Sequence, residues 1–317
     1  MLKEELFARI WERFGTLIIL LSLILIVSLL SPYFFTVDNL MQVVVQSSIF
    51  MLIGMAELFA ILTAGIDLSV GSIIALTGAV MAKMMAAGWG ILPSVLVGGI
   101  GLGALLGSIN GTLIAVTELP PFIITLGGLT VYRGITLVIT EGRPIYNYPY
   151  EFNIIFAGQW KGIPSPILVV VIAGVITHIF LKYTKTGRNI YAIGGNVKAA
   201  WLSGVRVKTH LIVAYTMSGL LSGVAALIMV ARVAAAEPLA GTGYELFAIA
   251  STVIGGTSFF GGIGNVPGTI IGALVIGVIN NALNILNVQT YYQQIVSGLV
   301  IIGTVYANKI LIRRGEK

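Results

Sequence analysis

The sequence predicts an all-α integral membrane protein, and three observations carry that expectation. Charged residues make up 9% of the 317 positions and the mean hydropathy is +1.00, whereas soluble domains carry about 25% charge. Apolar runs recur along the chain at the roughly 20 residues that a hydrocarbon core demands of a helix. The net charge of +6 comes from Lys and Arg gathered at the ends of those runs. Basic residues placed that way orient a membrane protein, so no nucleic-acid partner is expected.

Ten spans follow, at 14–34, 40–64, 69–88, 91–116, 121–140, 165–183, 209–231, 244–259, 265–287 and 291–311. The first reads as a retained helix, because its apolar run lacks a small-residue cleavage site. Ser31-Pro32-Tyr33 ends it, and Asp38-Asn39 caps the second. Gly65-Ile66-Asp67-Leu68-Ser69 reverses the chain, with Asp67 or Ser69 as N-cap of the third helix. Gly99, Gly103 and Gly107 repeat every four residues in the fourth, which lets another helix approach closely. Pro120-Pro121 starts the fifth.

An outer loop at 141–164 carries Tyr146, Tyr148, Tyr150, Phe152, Phe156 and Trp160. It reads either as an aromatic belt at headgroup depth or as a vestibule where a second protein lands. The eighth segment, near 244–262, is short and glycine-rich, with seven glycines between Ile254 and Ala273. Backbone broken so often must pack on protein or line water, so a broken or re-entrant piece is expected there. No soluble domain or linker interrupts the chain, which reads as one membrane domain over 1–317.

Orientation follows from the basic residues. With both termini cytoplasmic, the inner segments hold Lys3, Arg9 and Arg13, then Lys182, Lys185, Arg188, Lys198, Arg206 and Lys208, then Lys309, Arg313, Arg314 and Lys317. Lys83, Arg143, Lys161 and Arg232 fall near the outer side, and Arg133 lies inside a helix. The excess is inside, as the positive-inside effect requires.

The stretch 184–208 is the long polar interruption, and it contains no Asp or Glu. Asn196 is placed to cap a short helix that closes at Gly204, with Val197, Ala200 and Trp201 on an apolar ridge. By residues alone this is either an orientation signal at the headgroups or a docking element for a cytoplasmic partner.

Several chemistries are missing. There is no cysteine, and no Gly-Lys dipeptide that a Walker A loop would need. His178 and His210 are too few for a histidine metal site. An enzyme, a metal site and a bound cofactor are therefore not expected. Polar groups that do lie in the spans are Glu57, Asp67, Asn110, Arg133 and Asn281, with Glu118 at a helix end. A carboxylate in mid-span faces the bundle interior or water, so these five residues form a candidate translocation path. Glu57 and Asp67 would equally serve an ion-coupled carrier as proton-binding groups, and a channel would leave the basic loop idle.

Five motifs, GIDLSVGS (65–72), TLGGLTVYRG (125–134), TGRNIYAIGGNVKAAWLSGV (186–205), GTGYELFAIA (241–250) and IGGTSFFGGIGNVPGT (254–269), occur in this order. Together the sequence resembles the inner-membrane permease subunits of bacterial ATP-binding-cassette sugar importers. The branch is that of the ribose permeases, with allose, xylose, arabinose and galactose systems. The resemblance implies a second permease copy, in a homodimer or pseudo-dimer, and separate ATPase subunits on the cytoplasmic side. It also implies a periplasmic sugar-binding protein and a monosaccharide substrate. It makes 184–208 the loop that seats in the ATPase, with Gly187, Arg188, Tyr191, Gly194, Asn196, Ala199 and Ala200 matching the family's coupling pattern. Ala64, where the family has Gly or Ser, Ser251 and the Phe259-Phe260 pair depart from that pattern.

Overall fold

The computed structural model describes the backbone of residues 2–289 and positions 291–293, 295–296, 298–299 and 302–303, with side chains from Gly15 onward. The expected span 291–311 and the basic residues at both ends of the chain lie largely outside the described residues. Among those described, helices follow one another as α1 Leu2–Leu30, α2 Val37–Leu62, α3 Val70–Ala86, α4 Ile91–Thr117 and α5 Pro121–Thr140. An outer segment then holds α6 Glu151–Ala157 and the strands β1 Gln159–Trp160 and β2 Ile163–Pro164. After it come α7 Ser165–Tyr183, α8 Lys185–Gly195, α9 Val197–Leu202, α10 Val207–Val233, α11 Tyr244–Ile254 and α12 Val266–Ile285.

Six of these, α2, α4, α5, α7, α10 and α12, are long and apolar enough to cross a membrane. The apolar part of α1 and helices α3 and α11 are shorter. Helix α2 is the centre of the bundle, with 83% of its apolar window buried against α10, α11, α12 and α7. Helix α5 is its opposite, with 17% buried, so most of its surface is left apolar and outward. The largest core gathers Phe50, Leu52, Phe59 and Leu62 of α2 with Leu221 and Ile228 of α10 and Ile276 of α12.

The glycine repeat in α4 does what its spacing promised. A Cβ on Gly103 would sit 2.4 Å from the Gly219 carbonyl oxygen, and one on Gly107 would press on the Tyr215 carbonyl. Helices α4 and α10 therefore meet backbone to backbone. Just before this contact, α4 runs as a π-helix over Ser94–Gly101, a local widening of the turn.

The reversal between α2 and α3 is built differently from a simple cap. Ser69 occupies the N-cap position of α3 without a side-chain bond to the helix. Instead the Asp67 carboxylate accepts from the Ser69 amide at 3.0 Å, a local turn that points the side chain into the bundle. Ala64, just before it, sits at φ +59, in the left-handed region that suits Gly. An L-residue there carries a backbone cost that Gly would not.

The outer loop is more core than belt. Phe152 is fully buried among Tyr148, Phe156 and α10, while Tyr146, Tyr150 and Trp160 remain exposed. The Tyr148 hydroxyl donates to the Val230 carbonyl at 3.2 Å, and burial pushes this phenol up to about 12. Ile145 and Ala236 exchange backbone bonds, which fastens the loop to the chain leaving α10.

The glycine-rich eighth segment divides into three parts. Residues 234–243 are non-helical, α11 is 11 residues, and 255–265 are again non-helical. At 1.5 Å per residue α11 is about 16 Å long, half of a hydrocarbon core. Its start abuts α3, since a Cβ on Gly71 would clash with the Gly241 carbonyl. At its end the Ile254 carbonyl accepts from Thr16 of α1 at 2.9 Å, and the Gly262 amide donates to Leu62 at the end of α2.

Candidate translocation and coupling sites

Two places concentrate polar chemistry. The first is a buried network at the α2–α3 reversal. The Asp67 amide donates to Glu57 Oε1 at 3.1 Å, which folds the reversal back onto α2. Asp67 Oδ1 accepts from the Ser69 hydroxyl and Oδ2 from the Ser218 hydroxyl of α10 at 2.7 Å. Asn110 of α4 donates to Ser69 Oγ at 2.9 Å and accepts from the Tyr132 hydroxyl of α5 at 2.8 Å. One carboxylate thus links four helices through side chains alone. Glu57 and Asp67 are both fully buried.

Neither Glu57 nor Asp67 forms an ion pair among the described residues, and Glu57 Oε2 and the Tyr215 hydroxyl make no hydrogen bond. A buried polar atom left so costs about 1–3 kcal/mol, whereas the Asp67 carboxyl is satisfied by the Ser69 amide and by the Ser69 and Ser218 hydroxyls.

Arg133 and Asn281 stand outside this network. Arg133 Nη1 donates to the carbonyls of Pro238 and Ala240, each at 2.8 Å, and so clasps the non-helical link before α11. Asn281 of α12 and Asn39 of α2 exchange amide bonds at 2.8 and 3.2 Å, a reciprocal pair between two helices. The structure thus joins Glu57, Asp67 and Asn110 in one cluster and puts Arg133 and Asn281 in two other joints.

The second place is 184–208, which folds as a pair of short helices. Thr184 caps α8 by accepting from the Gly187 amide at 2.9 Å, and Asn196 caps α9 by accepting from Ala199 at 2.9 Å. At the far end Gly204, at φ +82, donates to Trp201, and Val205 donates to Ala200, which closes α9. Two glycines set how α8 sits. A Cβ on Gly194 would press on the Leu62 carbonyl at the end of α2, and one on Gly187 on the carbonyls of Phe180 and Leu181. The Tyr191 hydroxyl donates to the Gly264 carbonyl at 2.9 Å, and Asn189 meets His210 of α10 at 2.9 Å. Burial raises the Tyr191 phenol above its ordinary range.

What this seat presents outward is apolar and basic. Val197, Ala199, Trp201 and Leu202 are exposed on α9, and Arg188 is exposed on α8. Ala200 is buried beneath. A rigid knob with an exposed Trp and Arg, fixed to α2, α7 and α10, has the composition of a protein-contact hot spot.

Comparison with known proteins identifies the family. The model of the branched-chain amino acid transport system / permease component family matches residues 39–305. The chain belongs to that permease family.

Among its relatives, the D-allose transport system permease protein AlsC of Escherichia coli (strain K12) is 49% identical over 306 residues, covering 96% of this chain and 94% of that protein. The ribose import permease protein RbsC of Haemophilus influenzae is 46% identical over 301 residues, with 93% and 92% covered. The L-arabinose transport system permease protein AraH of Escherichia coli (strain K12) is 33% identical over 302 residues, with 94% and 91% covered. No solved structure matches the chain.

Within this permease several site residues were not legible in advance. Tyr132 and Ser218 complete the buried cluster, yet each looks like any polar residue on an apolar helix. Thr184 was legible in principle, because Thr three residues before Gly187 at the start of a basic polar run is an N-cap signal. The exposed Leu202 follows from α9 alone, once Ala200 is known to face inward.

Proposed function

We propose that this permease is the membrane subunit of an ATP-binding-cassette importer that carries a monosaccharide, ribose- or allose-like, into the cytoplasm. The observation that carries the reading is the doubly capped helix pair α8–α9, acid-free and rigidly seated, with Arg188, Val197, Trp201 and Leu202 outward. Relatives named for allose and ribose at 49% and 46% identity support the substrate class. In this reading Gly187, Arg188, Tyr191, Gly194, Asn196, Ala199 and Ala200 build the element that docks a separate ATPase subunit. Ten spans with both termini inside, a second copy of the chain, a periplasmic sugar-binding protein and a bacterial inner membrane complete it.

The translocation path uses Glu57, Asp67, Asn110, Arg133 and Asn281. All five are engaged or enclosed in this conformation, so their exposure to sugar follows from helix movement driven by the ATPases. Weak, sparse polar contacts suit release on the far side, and selectivity rests mainly with the binding protein.

The test is purification of the tagged chain in mild detergent, with mass spectrometry of what co-elutes. A nucleotide-binding subunit in near-equal amount is expected, and Arg188→Glu abolishes its coupling while insertion persists. Transport at wild-type level in Arg188→Glu would overturn the docking role. The second reading, an ion-coupled carrier, draws on the unpartnered Glu57 Oε2 beside Asp67. Uptake that collapses with an uncoupler while ATP persists would select it.

A further inference from the structure

A crevice of about 350 Å³ opens between α7, α8 and α12, and its polar lining is His178, Lys182, Arg188, Tyr191 and Asn265. Its chemistry is one-sided. His178 and Lys182 stand one turn apart on α7, Arg188 comes from the first turn of α8, and no acidic side chain lines the wall. Neither Lys182 nor Arg188 has a carboxylate partner among the described residues. Lys182 rests over the Tyr183 ring at 5.4 Å, and Arg188 reaches only the Tyr183 carbonyl at 3.5 Å. Helix α12 begins at the same wall, with Asn265 as its N-cap, so the electropositive end of a 20-residue helix adds to the two cations.

The approach to the crevice is apolar. Val171, Val175 and Ile179 on α7 are each half or more exposed and lead along the helix to His178 and Lys182. Helices α7 and α12 touch where a Cβ on Gly174 would meet Ile270 at 3.2 Å, which closes the crevice toward the bundle's interior. No residue of α9, which carries the exposed Trp201, lines it.

We propose that this crevice binds the phosphate headgroup of an anionic phospholipid of the leaflet that faces 184–208. The cations and the α12 terminus take the phosphate, and an acyl chain lies along the exposed stripe of α7. Basic pockets at membrane depth between helices recognise headgroups in this way. An acidic segment of a protein partner would match the charge but has no use for the stripe. The lipid then wedges against α8 where that helix joins α7, and so ties the docking element to the bilayer. The lipid site itself needs only the membrane placement, and its tie to a docking element rests on the transport reading.

The test is native mass spectrometry of the full chain in neutral detergent, titrated with phosphatidylglycerol or phosphatidylcholine. Retained phosphatidylglycerol adducts are expected, with phosphatidylcholine lost. The double variant His178→Ala, Lys182→Gln weakens phosphatidylglycerol binding about tenfold. Lys182→Arg alone keeps the charge and the binding, and Lys161→Gln in the outer hairpin changes nothing. Equal retention of both lipids, or unchanged binding in the double variant, overturns the proposal. So does displacement by millimolar inorganic phosphate, which marks a free-anion site. If the double variant instead loses a co-purifying subunit while keeping its lipid, the crevice is a protein contact and the proposal fails.

Discussion

Ala64 holds a left-handed backbone at φ +59, in a family position that the sequence pattern assigns to Gly or Ser. An L-residue there costs about 1–2 kcal/mol, part of which Gly returns as lost chain freedom. Ala64→Gly therefore raises stability by about 0.5–1 kcal/mol, read as a higher melting temperature in detergent. Glu57 gives a sharper test. Its Oε1 accepts the Asp67 amide while Oε2 is unpartnered, and a Gln keeps the acceptor without a titrating group. Glu57→Gln retains uptake if ATP drives transport, and abolishes it if Glu57 carries a proton. Liposome uptake with and without ATP decides between them. Sequence alone flagged Glu57, Asp67 and Asn110 because polar atoms in a span are conspicuous. It could not show that Asn281 is spent on Asn39, since that pairing joins residues 242 positions apart.

The helix pair α8–α9 was half legible. Asn196 and Gly204 bracket α9 because caps are local and written in neighbouring residues. The longer α8 was not foreseen, although Ile190 and Ile193 fall on one buried side at helical spacing. Its position depends on tertiary contact, above all Gly194 against the Leu62 carbonyl. Gly194→Ala puts a methyl group where backbone already lies, so α8 must move off α2. Loss of ATPase coupling with normal membrane insertion is the expected outcome, measured as substrate-stimulated ATP hydrolysis of the assembled complex. The outer loop taught the reverse lesson. Its aromatics read as a belt or as a vestibule, and Tyr146, Tyr150 and Trp160 are exposed as either requires, yet Phe152 is fully buried, because aromatic residues mark both surface and core and only packing separates them.

At the scale of the molecule, the six membrane-length helices among the described residues lie close to where hydropathy put them, since a span's length is fixed by the bilayer, while the expected eighth span is an 11-residue helix between non-helical stretches. Topology is a matter for solution. The chain has no cysteine, so single cysteines report cleanly. Lys198→Cys should react with a membrane-impermeant maleimide only from the cytoplasmic side, and Lys161→Cys only from outside. Labelling of both from one side would refute the ten-span arrangement.

The contact of α4 with α10 has a mechanical consequence. Gly103 and Gly107 meet Gly219 and Tyr215 through main-chain atoms, with no side chains between them to change rotamer. The two helices have no room for a side chain at this joint, so any residue larger than Gly at 103 or 107 must part them. Helices α5 and α7, with 17% and 28% of their apolar windows buried, keep most of their surface outward, while α8 bears on α2 at the Leu62 carbonyl and on α7 at the Phe180 and Leu181 carbonyls.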